Sequence, residues 1–172
     1  IQPWIVEEMR DSVATYQRMA ANWNEIGKVM KEFGLQFGYH NHNFEFANVE
    51  GKIPYFDIML AELDPDLVVM EMDMFWVAQA GHNPVDIFNK YPGRFPLFHL
   101  KDGYEQLPPY FDVVKGNIAP VGEGVVPFKD IIAAKDIAGM KYMIVEQDES
   151  RDGDMFADVQ KSITNLTTKI LV

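Results

Sequence analysis

The sequence predicts an α/β fold built on a parallel sheet, and three observations predict it. Four apolar runs each end in polar side chains, as buried strands do when they deliver groups to a site: GLQFGYHNHNFEF (34–46), LVVMEMD (67–73), FPLFHLKD (95–102) and YMIVEQDES (142–150). Helical patterns separate these runs. The resulting order, α-β-α-β-α-β-α-β-α, is typical of parallel strands buried on both faces.

The first helix is expected at about residues 12–33, because apolar residues recur there in steps of three and four. This apolar stripe consists of Val13, Tyr16, Ala20, Trp23, Gly27 and Met30. Gly34 is a suitable stop, since glycine readily adopts the left-handed conformation that ends helices. The chain then passes directly into a strand at 35–40.

Proline, asparagine and glycine set the later boundaries. Pro65 cannot continue a helix, Asn83 and Pro84 form a good helix start, and Gly139 closes a helix. The expected elements are helices at 55–63, 85–90, 128–138 and 157–171 and strands at 67–72, 95–101 and 141–146. Residues 103–127 are rich in glycine and proline, and we expect a long loop over the strand ends.

Composition limits the function. The chain has 172 residues and is 48% hydrophobic, which is enough for one globular domain, 1–172, with a sizeable core. A net charge of −11 argues against nucleic acid as a partner, because phosphate binding needs clustered Lys and Arg. No apolar run is long enough to span a bilayer, so no membrane partner is expected. The absence of cysteine excludes thiolate metal ligands, and the sequence leaves a cytoplasmic or a periplasmic location open.

The polar residues at the strand ends are the candidate functional site. Parallel strands joined by right-handed crossovers place their carboxyl ends on one side, so His40, Asp73, His99 and Glu146 should converge. Two imidazoles and two carboxylates are good ligands for one divalent ion, such as Mn²⁺, Zn²⁺, Co²⁺ or Fe²⁺, with Mg²⁺ as a further alternative. Alone, each would more often be a core histidine, a helix cap or an ion-pair partner.

Several motifs together resemble the sugar phosphate isomerase/epimerase family of xylose-isomerase-like TIM barrels, in its YHNHxFEF subgroup. They are YHNHNFEF (39–46), EMDMFWVAQAGHNPVD (71–86), GRFPLFHLKD (93–102), VGEG (121–124) and AGMKYMIVEQD (138–148). The resemblance implies a (β/α)₈ barrel in which one metal is held by Glu, Asp, His and Glu from the last four strands. By this resemblance, Asp73, His99 and Glu146 are the ligands from strands six, seven and eight.

The chain departs from the family at strand five. A simple register match places His40 where relatives carry a ligand Glu, and Glu45 is the alternative to His40. If Glu45 binds the metal instead, His40 and His42 become substrate contacts.

The resemblance covers strands five to eight only, whereas a complete barrel takes about 250 residues. We therefore expect this chain to be the C-terminal half of a longer protein. The alternative is that its four strands meet a second copy, so a homo-oligomer stays open.

The resemblance also implies the chemistry, which is proton abstraction beside a carbonyl of a sugar or keto-sugar through an enediolate. Glu146 is the expected base, with His42 and Lys101 as further catalytic residues and His42, Trp76 and Lys101 in contact with substrate. Lys101 shares a strand face with His99, so it either enters the site or pairs with Asp148. Glu71 is expected to be a structural carboxylate.

Reprotonation makes the enzyme an isomerase or epimerase of carbohydrate metabolism, which is the preferred expectation. Loss of a β-substituent makes it a dehydratase or lyase acting on a keto-sugar or cyclitol. A sugar-binding relative without catalysis stays open, because the strand-five Glu is replaced. A DNA phosphodiesterase is disfavoured by the negative charge.

Overall fold

The computed structural model describes residues 10–49, 53–106 and 116–172. The helices are α1 (Val13–Glu32), α2 (Tyr55–Glu62), α3 (Met74–Gln79), α4 (Pro84–Lys90), α5 (Phe128–Ala133), α6 (Lys135–Ala138) and α7 (Met155–Asn165), with a 3₁₀ turn at Phe44–Phe46 and a π-helical turn at Leu166–Ile170. The strands are β1 (Phe37–His40), β2 (Asn48–Val49), β3 (Ile53–Pro54), β4 (Val68–Asp73), β5 (Leu97–Leu100), β6 (Asp102–Gly103), β7 (Ile118–Ala119) and β8 (Tyr142–Val145).

Four strands form one parallel sheet in the order β1-β4-β5-β8, which confirms the predicted α/β architecture. Each strand is followed by helical structure before the next strand of the sheet begins, and all four carboxyl ends therefore lie at one edge. The register places His40 opposite Glu71 and Asp73 opposite His99. The assignment of these strands to barrel strands five to eight stays a prediction.

The helix predictions hold with three differences. The expected helix at 128–138 is divided into α5 and α6, and Gly139 closes α6 with a φ of 78°. The last helix begins at Met155 and ends in a π-helical turn. The sequence pattern does not predict α3, because the run from Met74 continues the apolar character of the strand and shows no break in periodicity.

Two short strands overlap the expected loop at 103–127. Asp102–Gly103 pairs antiparallel with Ile118–Ala119, so β6 and β7 close the base of this segment. Residues 107–115 of the predicted loop lie outside the described residues.

The core lies between the sheet and the outer helices. Helix α1 packs against α2 and buries the face that carries Tyr16, Ala20 and Trp23. The largest fully buried side chains are Tyr16, Tyr39, Phe56, Phe88, Phe95, Phe98, Phe128, Met59, Met70, Met72, Met74 and Leu100. Burial of this many large apolar groups fixes the sheet, and with it the positions of the strand ends. In the described ranges, no helix has both the length and the apolar character needed to cross a membrane.

Candidate metal centre

Three side chains from three neighbouring strands meet at the carboxyl edge of the sheet. His40 ends β1, Asp73 ends β4 and His99 lies in β5, and one ligand atom from each lies within 4.8 Å of the others. All three residues are buried. Among the described residues, Glu146 and Glu45 lie outside this group.

The spacing and chemistry of the group fit a divalent metal. Asp73 Oδ2 is 3.0 Å from His99 Nδ1 and 3.6 Å from His40 Nε2. Two ligands of a tetrahedral zinc ion are about 3.4 Å apart, given bond lengths near 2.1 Å. Two imidazoles and one carboxylate form a borderline-soft donor set that suits transition metals and zinc. The three residues could therefore hold such an ion.

Asp73 is held in place from two sides. Its Oδ1 accepts the backbone N–H of Trp76 at 3.0 Å, so Asp73 caps helix α3. Its own backbone N–H donates to Asn41 Oδ1 at 3.1 Å. Because capping uses one oxygen, Oδ2 is left to face the two histidines.

Each histidine ring has a carboxylate at one of its nitrogens. His40 Nδ1 is 3.0 Å from Glu71 Oε2, and this hydrogen bond lowers the pKa of Glu71. Burial of the His99 ring opposes its charged form, but the hydrogen bond to Asp73 and the negative charges of Asp73, Glu146 and Glu71 together outweigh it and raise the pKa of His99. Both rings are therefore fixed in orientation, and their planes meet edge to face.

Lys101 and Glu146 form a charged pair beside the three-residue group. Lys101 Nζ is 3.0 Å from Glu146 Oε2 and also pairs with Asp148. Glu146 Oε2 in turn lies 3.8 Å from His99 Nε2. Burial opposes the charge of Lys101, but Asp73, Asp148 and Glu146 outweigh it and raise its pKa. Lys101 therefore pairs with Asp148, and its ammonium also lies beside Glu146; its entry into a substrate site stays a prediction.

His42 lies next to His40 and lines the site. Its ring is 5.6 Å from that of His40 and 5.5 Å from that of Trp76, measured between centroids. Burial, helped by the neighbouring His40, lowers the pKa of His42 to about 4, so the ring is neutral at neutral pH. Trp76 is nearly fully buried, and Lys101 Nζ lies 5.2 Å above its ring.

Glu45 takes part in a separate hydrogen-bond network. Its Oε1 accepts the Tyr39 hydroxyl at 2.6 Å, and its Oε2 accepts the backbone N–H of His42 at 3.0 Å. Burial raises the pKa of Glu45 to about 7. The carboxylate therefore holds the turn after β1 rather than joining the metal group, and the structure brings His40 to that group.

Two contacts at the site are not predicted by the sequence. Asn41 orients Asp73 across strands, and Glu71, the expected structural carboxylate, contacts His40. A signal for Glu71 exists, because residues two apart in a strand face the same side and Glu71 precedes Asp73 by two. Its partner depends on strand register, which local patterns do not contain.

The sequence profile described as xylose isomerase-like TIM barrel matches residues 4–166. The chain belongs to this family. The match covers nearly the whole chain and confirms the TIM-barrel fold class.

Relatives in this family include enzymes and solved structures. Inosose dehydratase of Lacticaseibacillus casei is 28% identical over 144 residues, which are 78% of this chain and 47% of that protein. A sugar phosphate isomerase/epimerase from Parabacteroides distasonis superposes with a TM-score of 0.79 at 27% identity, covering 92% of this chain and 54% of that one. The IOLI protein, whose crystal structure has a bound zinc atom, gives a TM-score of 0.73 at 14% identity, over 98% of this chain and 62% of that one. This xylose-isomerase-like chain spans about half the length of the curated relatives it matches.

Proposed function

We propose that this chain supplies the active site of a divalent-metal-dependent enzyme that removes a proton beside a carbonyl of a keto-sugar or keto-cyclitol. The observation that supports it is the convergence of His40, Asp73 and His99 next to the Lys101–Glu146 pair. Buried, charged groups from separate strands are costly to assemble, and such clusters mark functional sites.

His40, Asp73 and His99 would hold the ion, with Glu146 as the fourth ligand. Two imidazole nitrogens favour zinc, manganese, cobalt or iron over magnesium, which prefers an all-oxygen shell. The crystal structure of the IOLI protein, a relative in fold, has a bound zinc atom, and this supports a divalent ion as the cofactor. When bound, the ion would act as a Lewis acid that polarises the substrate carbonyl.

Glu146 is the proposed base, because its carboxylate lies at the rim beside Lys101 and near His99. It takes the proton from the carbon beside the carbonyl, and the electron pair moves to the carbonyl oxygen to give an enediolate. The Lys101 ammonium stabilises the developing negative charge. His42, neutral and facing the site, holds a substrate hydroxyl by hydrogen bonding, and Trp76 forms part of the wall that excludes water.

The second step decides the reaction class. In a dehydratase, a β-hydroxyl leaves and takes the proton from Glu146 as water. The inosose dehydratases at 27–28% identity favour this outcome for a keto-cyclitol substrate. The second candidate is an isomerase or epimerase, in which the proton returns to carbon; the Parabacteroides distasonis structure supports this candidate.

The proposal is tested first by metal binding. We expect the intact protein to bind Zn²⁺, Mn²⁺ or Co²⁺ in calorimetric titrations. His99→Ala should weaken this binding by at least about tenfold to a hundredfold, because it removes one ligand from the group. The matched control is His82→Ala, since His82 is an exposed histidine on the loop before α4 and should leave the affinity unchanged.

The reaction class is tested with inososes and a panel of ketoses in D₂O. A dehydratase gives an unsaturated ketone that absorbs in the ultraviolet, whereas an isomerase or epimerase incorporates deuterium without loss of water. Both activities should disappear when the metal is removed by a chelator. Metal binding with neither product would contradict the enzymatic proposal and favour a sugar-binding relative. Equal affinity in the wild type and in His99→Ala would contradict the metal site.

A further inference from the structure

We infer that Glu71 is a positioning residue for the metal centre, which fixes the tautomer and orientation of the His40 ring so that Nε2 faces Asp73. The inference rests on the proposed metal site and adds a residue to it.

The contact follows from strand register. Residues paired across two parallel strands project to the same face, and the sheet pairs His40 with Glu71. Their side chains meet with 3.0 Å between Nδ1 and Oε2. The His40 side chain is 9% exposed and that of Glu71 is 24% exposed, so the contact is largely buried but still reached by water.

The two nitrogens of the His40 ring are not equivalent. A carboxylate can only accept a hydrogen bond, so the nitrogen bonded to Glu71 carries the proton. The other nitrogen, Nε2, lies 3.6 Å from Asp73 Oδ2, which is longer than a hydrogen bond. A neutral ring held in this way presents the lone pair of Nε2 to the space shared with Asp73 and His99.

This arrangement matches what metal-binding histidines need. A carboxylate on the far nitrogen holds the ring in one tautomer, and loss of such a partner lowers metal affinity about tenfold to a hundredfold. Glu71 lies outside the three-residue group, so its effect on a metal would pass through His40. The register between β1 and β4 thus places Glu71 where it can orient the His40 ring.

The direct test is nitrogen-15 NMR of the histidine rings in the metal-free intact protein at pH 8. The His40 signals are identified by their loss in His40→Gln. We expect the wild type to have a protonated Nδ1 and an unprotonated Nε2 at His40. In Glu71→Leu the ring should shift toward the Nε2-protonated tautomer, which free imidazole side chains prefer. Glu71→Gln should retain the wild-type tautomer, because the amide oxygen still accepts the Nδ1 proton.

Metal titration of the same variants gives the second readout. Glu71→Leu should weaken Zn²⁺ or Co²⁺ binding by about tenfold to a hundredfold, and Glu71→Gln should restore most of it. The control is Glu25→Leu, which removes an ion pair with Lys28 on the outer face of α1 and should change neither readout. Thermal melting verifies that each variant is folded. If Glu71→Leu does not fold, the tautomer of His40 in the wild type still decides the inference.

The outcomes separate this inference from the proposed function. If the wild type binds no divalent metal, the proposed function fails, while the NMR result still decides whether Glu71 fixes His40. If the wild type binds metal and Glu71→Leu alters neither the tautomer nor the affinity beyond twofold, the positioning role is wrong. Protonation of both His40 nitrogens at pH 8 in the wild type would also overturn it.

Discussion

Asp73 uses its two carboxylate oxygens for two tasks. Oδ1 caps helix α3 through the N–H of Trp76, and Oδ2 faces His99 and His40. A site residue that also begins a helix cannot move without disturbing that helix, so its position is rigid. For the same reason, substitution of Asp73 affects stability as well as metal binding, and His99 is the cleaner site for testing the metal centre.

Burial changes the pKa of Glu45 and thereby its contribution to stability. Glu45 is fully buried, and its pKa rises from 4.5 to about 7 because the surroundings exclude water. A carboxyl whose pKa is higher in the folded state binds more protons when folded. Its contribution to stability is therefore lost as the pH rises from the unfolded to the folded pKa.

We predict that the metal-free protein becomes less stable between pH 4.5 and about 7, with Glu45 accounting for on the order of 3 kcal/mol. In Glu45→Gln this decrease of the unfolding free energy with pH should be absent, since the amide does not titrate. Urea unfolding at pH 5 and pH 8 measures the change in unfolding free energy in the wild type and in the variant. An equal change in unfolding free energy in the wild type and in Glu45→Gln would show that folding does not raise the pKa of Glu45.

At the scale of elements, the segment after β5 is organised by one buried carboxylate. Asp102 accepts four backbone N–H groups, from Gly103, Gly122, Gly124 and Val126, at 2.9 to 3.1 Å. A side chain at Gly124 would overlap Asp102 and the Gly103 carbonyl, so the backbone can approach only because this residue is glycine. The VGEG sequence is therefore bound to the sheet edge by Asp102. The far side of the segment is fastened to α7, where Ser162 accepts the Val121 N–H.

Asp102→Asn should destabilise the protein by about 2 to 4 kcal/mol, because the amide NH₂ would face backbone N–H groups that are left without an acceptor. Urea unfolding measures the loss, and hydrogen exchange at Gly122 and Gly124 should accelerate. Asp66→Asn, an exposed change before β4, is the control and should stay within about 0.5 kcal/mol of the wild type. Unchanged exchange at both glycines would contradict the role of Asp102.

At the scale of the whole molecule, the sheet has two edge strands, β1 and β8. Ile144 lies opposite His99 in the register, so it faces the same side of the sheet as the candidate site. Tyr142, two residues earlier, shares this face, and both side chains are exposed. An exposed apolar edge strand is a pairing surface. We propose that residues 1–172 form the C-terminal half of a closed barrel whose remaining strands cover this face.

We predict that Ile144→Glu disrupts the assembled protein, whether the covering strands belong to the same polypeptide or to a second copy. The loss of stability should be about 2 to 4 kcal/mol, because a charge would be buried without a partner. Ile137→Glu is a matched control, since Ile137 on α6 is 44% exposed against 41% for Ile144 but lies away from the sheet edge.

Thermal melting and light scattering compare the two variants. A near-neutral effect of both substitutions would indicate that this face of β8 stays exposed to solvent. A larger effect of Ile137→Glu than of Ile144→Glu would place the covered surface on the helical side.

The sequence by itself determined the helices other than α3, the four main strands and the polar groups at their ends. Apolar periodicity, capping residues and helix stops such as Gly34 and Gly139 are local signals, and they place elements to within a few residues. The candidate ligands Asp73 and His99 follow from the same logic, because parallel strands must end on one side.

Only the tertiary structure decided which groups touch. It brought His40 rather than Glu45 to the metal group, gave Glu71 to His40, placed Lys101 between Glu146 and Asp148, and fastened the VGEG segment to Asp102. The physical reason is that these contacts join residues far apart in the chain. They depend on strand register and on competition among buried polar groups for partners, and neither quantity is recorded in a local pattern of residues.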